Sequence, residues 1–287
     1  MKAVLTIAGS DSSGGAGIQA DLKTIAAHRL YGESVITALT AQNTLGVRGV
    51  ENVSPEFVGE QIDAVFEDIR PDAVKIGMVS SPEIVRAIAD GLRRHKAENV
   101  VVDPVMVATS GSALIADAAV DALVERLFPL ACVVTPNIPE AEVLAGMAIA
   151  GREDVERAAD LIADRCRAAG ETAASFSDDE AEGRGVPAIM IKGGHGVGDP
   201  EAADDFLLLP HGERVWLHGR RVPTENTHGT GCSLSSAIAC GLAQGFAVDV
   251  AVRDAKTYVA GALANDLNLG QGSGPLNHMW AFGPVPC

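Results

Sequence analysis

The sequence predicts an α/β fold built around a largely parallel sheet. Three observations carry this. Short β-branched runs alternate along the chain with longer Ala/Leu/charged segments. Three of the runs are nearly continuous apolar stretches, as expected for strands covered on both faces. Ser54-Pro55 and Ser81-Pro82 place a capping residue before a proline, which marks the first turn of a helix.

In order, the predicted strands are Ala3–Ala8, Ser34–Ala41, Ala73–Ile76, Val100–Asp103, Cys132–Thr135 and Ala188–Lys192. Helical patterns fall between and after them, at Ile18–Arg29, Pro55–Asp68, Pro82–His95, Asp117–Phe128 and Asp154–Ala169. Asp205–Leu209 and Arg214–Leu217 flank Pro210-His211-Gly212-Glu213 and read as an antiparallel hairpin at a sheet edge. Two more helices are predicted at Gly231–Ala243 and Val248–Leu267. Glu171–Gly185 is acidic, rich in small residues and aperiodic, and reads as an exposed loop.

Composition narrows the function. The 287 residues are 47% hydrophobic, enough to exclude a mainly disordered chain. No repeat or linker divides the chain, so 1–287 is taken as a single domain. No apolar stretch approaches the roughly 18 residues of a membrane span. The short N-terminal apolar run reads as a first strand, not a signal peptide. A formal charge of −16 argues against non-specific nucleic-acid binding and against anionic membrane surfaces. The 5 cysteines are odd in number and contain no CxxC, so neither a disulfide framework nor a zinc knuckle is indicated. A reducing, cytoplasmic setting fits best.

Ligands of open α/β sheets collect at the carboxyl ends of the strands. Three predicted strands end in polar residues: Asp103-Pro104, Thr135-Pro136-Asn137 with Glu140 one turn on, and Lys192-Gly193-Gly194-His195. Two carboxylates, an amide and an ammonium on one rim suit Mg²⁺ with a polyphosphate. Gly15-Ala16-Gly17-Ile18-Gln19-Ala20 matches a dinucleotide-binding pattern, but six residues separate Ala8 from Gly15, too many for that tight turn. There is no GK[ST] sequence, so no P-loop is present.

Asn226-Thr227-His228-Gly229-Thr230-Gly231-Cys232 is the most specific local signal. Glycines before a helix start leave several N–H groups unpaired, an anion hole suited to charge on a moving phosphoryl group. Cys232 falls in the first turn, where a thiol pKa is expected to be lowered. Cys132, Cys166 and Cys240 read as small buried apolar residues. His195 and His228 flank glycines near the expected phosphates. His28 and His95 fall at helix ends and carry no expected role.

These motifs together resemble the hydroxymethylpyrimidine/phosphomethylpyrimidine kinases of thiamine biosynthesis. The match begins with Gly9–Lys23 and continues through Thr40–Thr44, Lys75–Met78, Val102–Met106, Thr135–Glu140 and Lys192–His195 to Asn226–Cys232. The resemblance implies a ribokinase-like three-layer αβα sandwich. It also implies ATP- and Mg²⁺-dependent phosphorylation of 4-amino-5-hydroxymethyl-2-methylpyrimidine, first to the monophosphate and then to the diphosphate. Gln42 matches the substrate-binding glutamine, and Gly9, Met78 and Val105 match positions lining the same pocket. Cys232 and the amides of Gly229, Thr230 and Gly231 match the catalytic anion hole. Cys232 either accepts the hydroxyl proton or only orients the alcohol. Asp103 and Glu140 match metal-organising positions, with Asn137 beside them. Lys192, Asn137, Thr227 and Lys256 are expected on the ATP side. Relatives of this kind are often homodimers, which is analogy alone, and the sequence itself does not reveal the oligomeric state.

Two features limit the resemblance. Thr109, in the loop Met106–Ser112, stands where some relatives carry lysine, which bears on the second phosphorylation. Glu171–Gly185 is longer than the usual connection. The nearest alternative is a pyridoxal or pyridoxine kinase, though Met106–Leu114 lacks the second cysteine some of those enzymes use. A nucleotide-binding regulator without turnover and a dinucleotide-dependent oxidoreductase are further alternatives.

Overall fold

A computed structural model of the chain describes residues 1–106, 117–174, 185–194 and 199–283. His195, most of the Met106–Leu114 loop with Thr109, and all but the two ends of Glu171–Gly185 lie outside them.

Among the described residues nine strands form one sheet: β1 Ala3–Asp11, β2 Tyr31–Asn43, β3 Gly46–Asn52, β4 Ala73–Ile76, β5 Val100–Val102, β6 Val133–Val134, β7 Ala188–Ile191, β8 Asp205–Leu208 and β9 Arg214–Leu217. Their order is β3-β2-β1-β4-β5-β6-β7-β8-β9. From β2 across to β7 the neighbours run parallel, while β3, β8 and β9 pair antiparallel at the two edges. The chain leaves β1 towards one edge and returns to its other side at β4. This makes a switch point at the carboxyl end of β1.

The helices are α1 Gly17–Ala27, α2 Pro55–Asp68, α3 Pro82–Arg94, α4 Asp117–Ala122, α5 Ile138–Ala145, α6 Arg152–Ala174, α7 Thr230–Ala243 and α8 Val248–Ala264. Strand alternation divides the core into two layers. Val100 and Val102 of β5, with Ile189 and Ile191 of β7, face Ile62, Ile88 and Ile162. Val101 and Met190 face the other way, onto Ile25, Ile238 and Val252. The sheet is therefore covered on both faces, the three-layer αβα arrangement that its continuous apolar strands require. Helix α7 is buried from Ser233 to Ala243. Its Gly, Ser, Ala and Cys side chains are small enough for α1, α8 and the sheet to close around it.

Beyond shifts of a few residues at the ends of β1, β2 and α8, four elements depart most from the sequence reading. β3 was missed, because Gly-Val-Arg-Gly-Val-Glu-Asn is an exposed edge strand with no buried face to impose alternation. α5 was missed although Asn137 and Glu140 form a complete capping box. The helix expected to run to Phe128 loosens into a π turn at Leu123–Leu127 and a 3-10 turn at Phe128–Leu130, where Pro129 ends it. α6 continues to Ala174, so the first residues of the expected Glu171–Gly185 loop are helical.

Candidate active site

A cleft of about 910 Å³ opens at the carboxyl ends of the parallel strands. It runs from Gly9 and Gln42, past the start of α7, to Lys256 and Leu263 on α8. Fourteen of the residues singled out in the sequence line it: Gly9, Gln42, Met78, Asp103, Val105, Asn137, Glu140, Lys192, Thr227, Gly229, Thr230, Gly231, Cys232 and Lys256.

Gln42 is aimed by a register shift between Ala41 and Gln42 in the β2–β3 pairing. Such bulges re-aim a side chain beside a site. Ser12 pins the Gln42 backbone twice: its hydroxyl accepts from Gln42 N at 2.9 Å and donates to Gln42 O at 2.8 Å. The first glycine-rich loop has its own internal anion. The Asp11 carboxylate accepts from the amides of Ser13, Gly15 and Ala16. Burial opposes its charge. His228, the Ser13 hydroxyl and the amides of Ser13 and Ala16 outweigh burial and hold the carboxyl well below its usual range. Those amides are therefore already paired within the loop.

In the second glycine frame, Gly229 caps α7 with φ +87°. Beyond it, the first-turn amides of Gly231 and Cys232 lie at the cleft without helical partners. The floor beneath is charged. Lys192 Nζ is 2.6 Å from Asp103 Oδ1 and 3.9 Å from Glu140 Oε2. Asp103 also accepts from Thr135 Oγ1 at 3.1 Å and Ser235 Oγ at 3.3 Å. Burial disfavours the Lys192 charge, but Asp103 and Glu140 outweigh it and hold the pKa above the usual value. Glu140 shifts up: burial and Asp103 disfavour its charge more than Lys192 supports it. Glu140 accepts the Asn137 amide at 2.7 Å, and Asn137 Oδ1 accepts the Glu140 amide at 2.9 Å. On the far side Lys256 Nζ bonds Ala203 O at 2.6 Å and Asp205 Oδ2 at 2.5 Å.

Two expectations are corrected. The Cys232 thiol is not acidified by its first-turn position. Burial pushes it up to about 11, against the pull of the Lys75 ammonium and the Gly17 N–H. His228, expected near the phosphates, is turned to Asp11 and Gln42. Its Nε2 lies 2.8 Å from Asp11 Oδ2 and 3.3 Å from Gln42 Nε2.

Sequence reading also missed the Lys75–Asp21 pair beneath α7. Both side chains are fully buried, 2.8 Å apart. Asp21 also accepts from Thr6 Oγ1 at 2.6 Å and Ser236 Oγ at 2.8 Å. A lysine inside the apolar strand Ala-Val-Lys-Ile signals such a partner, but its identity requires the fold.

The chain is similar over 99% of its length to an ADP complex of Bacillus subtilis pyridoxal kinase, with 100% of that chain covered, 32% identity and a TM-score of 0.84. It is also similar to the crystal structure of phosphomethylpyrimidine kinase from Clostridium difficile 630, with 43% identity, 91% of this chain and 98% of that one covered, and a TM-score of 0.73. The architecture and the helix-capped cleft together define a phosphotransferase of the ribokinase-like αβα class. Within that class, the family model described as phosphomethylpyrimidine kinase matches residues 11–277. A hydroxymethylpyrimidine/phosphomethylpyrimidine kinase of Rhizobium meliloti (strain 1021) is 52% identical over 277 residues, covering 96% of each chain. The chain belongs to the phosphomethylpyrimidine kinase family.

Proposed function

We propose that the protein transfers the terminal phosphoryl group of ATP to the hydroxymethyl oxygen of 4-amino-5-hydroxymethyl-2-methylpyrimidine, and then to the phosphate of that product. The observation that carries this is the single cleft joining Gln42 to the α8 face across the α7 start. An alcohol held at one end and a nucleotide at the other bring their reacting atoms to the same amides.

Each residue has a role that its chemistry suits. Gln42 offers both a donor and an acceptor, matching a ring nitrogen beside an amino group. Gly9, Met78 and Val105 close around the ring. Lys192 faces the phosphates, with Thr227, Asn137 and Lys256 along the nucleotide. Charge gathering on the transferring group falls on the amides of Gly229, Gly231 and Cys232, where a fixed dipole is worth most; the Thr230 amide, expected among them, is already given to Thr227 O at 3.3 Å. Cys232 orients the alcohol. A neutral thiol is a weak base, and a loose phosphoryl transfer needs little base help. Most of the barrier is removed by positioning and electrostatics.

Mg²⁺ fits the donors present in one specific way. Asp103 and Glu140 are two carboxylates beside Lys192, and no cluster of three or more His, Cys, Asp or Glu ligands occurs among the described residues. That donor set suits an ion that keeps its waters and takes phosphate oxygens as further ligands. When bound, Mg²⁺ would neutralise phosphate charge that Lys192 alone cannot.

Pyridoxal kinases share the fold, so pyridoxal is the second alcohol to test. Incubation with ATP/Mg²⁺ and each alcohol, read by phosphorus NMR, distinguishes them. The pyrimidine monophosphate followed by the diphosphate is expected. Faster turnover of pyridoxal, or no alcohol-dependent ADP, overturns the assignment.

A further inference from the structure

Gln42 stands between two fixed neighbours. Its Oε1 is 3.0 Å from Thr40 Oγ1 and its Nε2 is 3.3 Å from His228 Nε2. The second contact joins two donors. His228 Nε2 lies 2.8 Å from Asp11 Oδ2, and an ionised carboxylate only accepts. That ring nitrogen therefore carries its hydrogen and offers no lone pair to the Gln42 amide. The first contact has a conflict of its own. Thr40 has one hydroxyl hydrogen and two carbonyl oxygens at 3.0 Å, those of Ser10 and Gln42. When the hydrogen goes to Ser10, Thr40 faces Gln42 as an acceptor. Both conflicts disappear if the amide makes a half turn about its last torsion, which exchanges oxygen for nitrogen within the same outline. The nitrogen then donates to Thr40, and the oxygen takes the weaker share of the single His228 Nε2 hydrogen, whose main acceptor is Asp11.

We propose that His228, fixed by Asp11, acts with Thr40 as a specificity lock that holds the Gln42 amide in this turned state and so makes the site select an amino-substituted ring over its oxo analogue. The lock rests on the reading that Gln42 binds the pyrimidine edge. After His228 and Thr40 have taken their shares, Gln42 retains one carbonyl lone pair and one N–H in fixed order. A 4-amino group beside a ring nitrogen presents the complementary donor and acceptor. A 4-oxo group beside a ring N–H presents the reverse. The hydroxymethyl group must reach the α7 start, so the ring cannot turn over to compensate. An amide free to rotate would accept either ring. His228 is 4% exposed and packs against Gly15, where a Cβ would meet its ring at 2.3 Å, so the lock itself is rigid.

The test compares kcat/KM for the 4-amino alcohol and its 4-oxo analogue in the wild type, His228→Phe, Thr40→Val and Gln42→Leu. A preference for the amino ring of about 10³-fold or more is expected in the wild type. It should fall at least about 10-fold in His228→Phe and Thr40→Val, through KM for the ring, with KM for ATP within about twofold. Gln42→Leu should raise KM for the ring in every case. If Gln42→Leu does so but both lock variants keep the wild-type preference, the lock is wrong and the Gln42 reading survives. If Gln42→Leu leaves KM unchanged, the Gln42 reading fails and the lock with it. Nitrogen-15 NMR of the native enzyme supplies a readout independent of variant folding. Hydrogen on His228 Nε2 is expected at pH 8, and hydrogen on Nδ1 alone would overturn the lock.

Discussion

Gly229 meets the carbonyl oxygen of Gly15 so closely that a Cβ at position 229 would lie 1.9 Å from that oxygen. The two glycine-rich loops, more than 200 residues apart in sequence, thus pack backbone to backbone. The contact sets where the first turn of α7 begins and where its amides point. Gly229→Ala places a side chain both in that gap and at φ +87°. It should lower stability by about 2 kcal/mol or more in urea unfolding. In the fraction that folds, kcat should fall about 100-fold with a smaller change in KM, because a displaced amide is felt most in the transition state. Wild-type kcat in a folded variant would show that the loop contact does not set the site.

Cys232 should prove dispensable as a base. Its thiol is pushed up to about 11, so it is neutral near pH 7. Cys232→Ala should therefore keep measurable turnover, with a loss under about 100-fold, below the upper range of a true general base. Its kcat–pH profile should retain the wild-type shape. A loss beyond about 10⁴-fold, with a pH inflection erased, would make the thiol the proton acceptor.

The buried Lys75–Asp21 pair should be coupled strongly in stability. Burial opposes the Lys75 charge, but the surrounding groups, Asp21 foremost, outweigh it and hold the ammonium above its usual range. Lys75→Met leaves Asp21 without its counter-charge and should cost about 3–5 kcal/mol in urea unfolding. Asp21→Leu alone should cost a similar amount. The double variant should recover at least half of the summed loss. Additive losses would show that the two charges do not support one another.

Much of this was legible in the sequence, and the misses have physical causes. Ala73–Ile76 and Pro55–Asp68 were placed to the residue, because a buried apolar strand and a Ser-Pro helix start are strong local signals. The edge strand Gly46–Asn52 lacked such a signal because solvent, not a core, faces it. All fourteen expected site residues meet at one cleft, since strand-end position follows directly from βαβ order. What stayed hidden were partners distant in sequence. Asp21 with Lys75, and Asp11 with His228, are joined only by the packing of α1, β1 and α7. The Cys232 thiol was misjudged because a helix dipole was weighed without the burial that opposes it.

Glu33 should make stability fall as pH rises. Its Oε2 is buried without a hydrogen-bond partner among the described residues. Burial, reinforced by Asp68 and Asp72, lifts the carboxyl from the usual 4.5 to about 7. The folded state therefore binds more protons than the unfolded state between those values, and stability declines across that window. The penalty is complete above pH 7 and absent below pH 4.5. Glu33→Gln should raise Tm at pH 8.5 by about 1–3 °C, a figure reduced for solvent screening, and by almost nothing at pH 5. An equal effect at both pH values would exclude an ionisation origin.

The central claim is that the start of α7 receives the terminal phosphate while Gln42 holds the alcohol. A crystal structure with a non-hydrolysable ATP analogue, Mg²⁺ and the aminopyrimidine alcohol tests it most directly. The terminal phosphate is expected within hydrogen-bond distance of the Gly231 and Cys232 amides, with the hydroxymethyl oxygen beside Cys232 and the ring edge on Gln42. A terminal phosphate seated on the Asp11 loop, or anywhere remote from Gly229–Cys232, would contradict it.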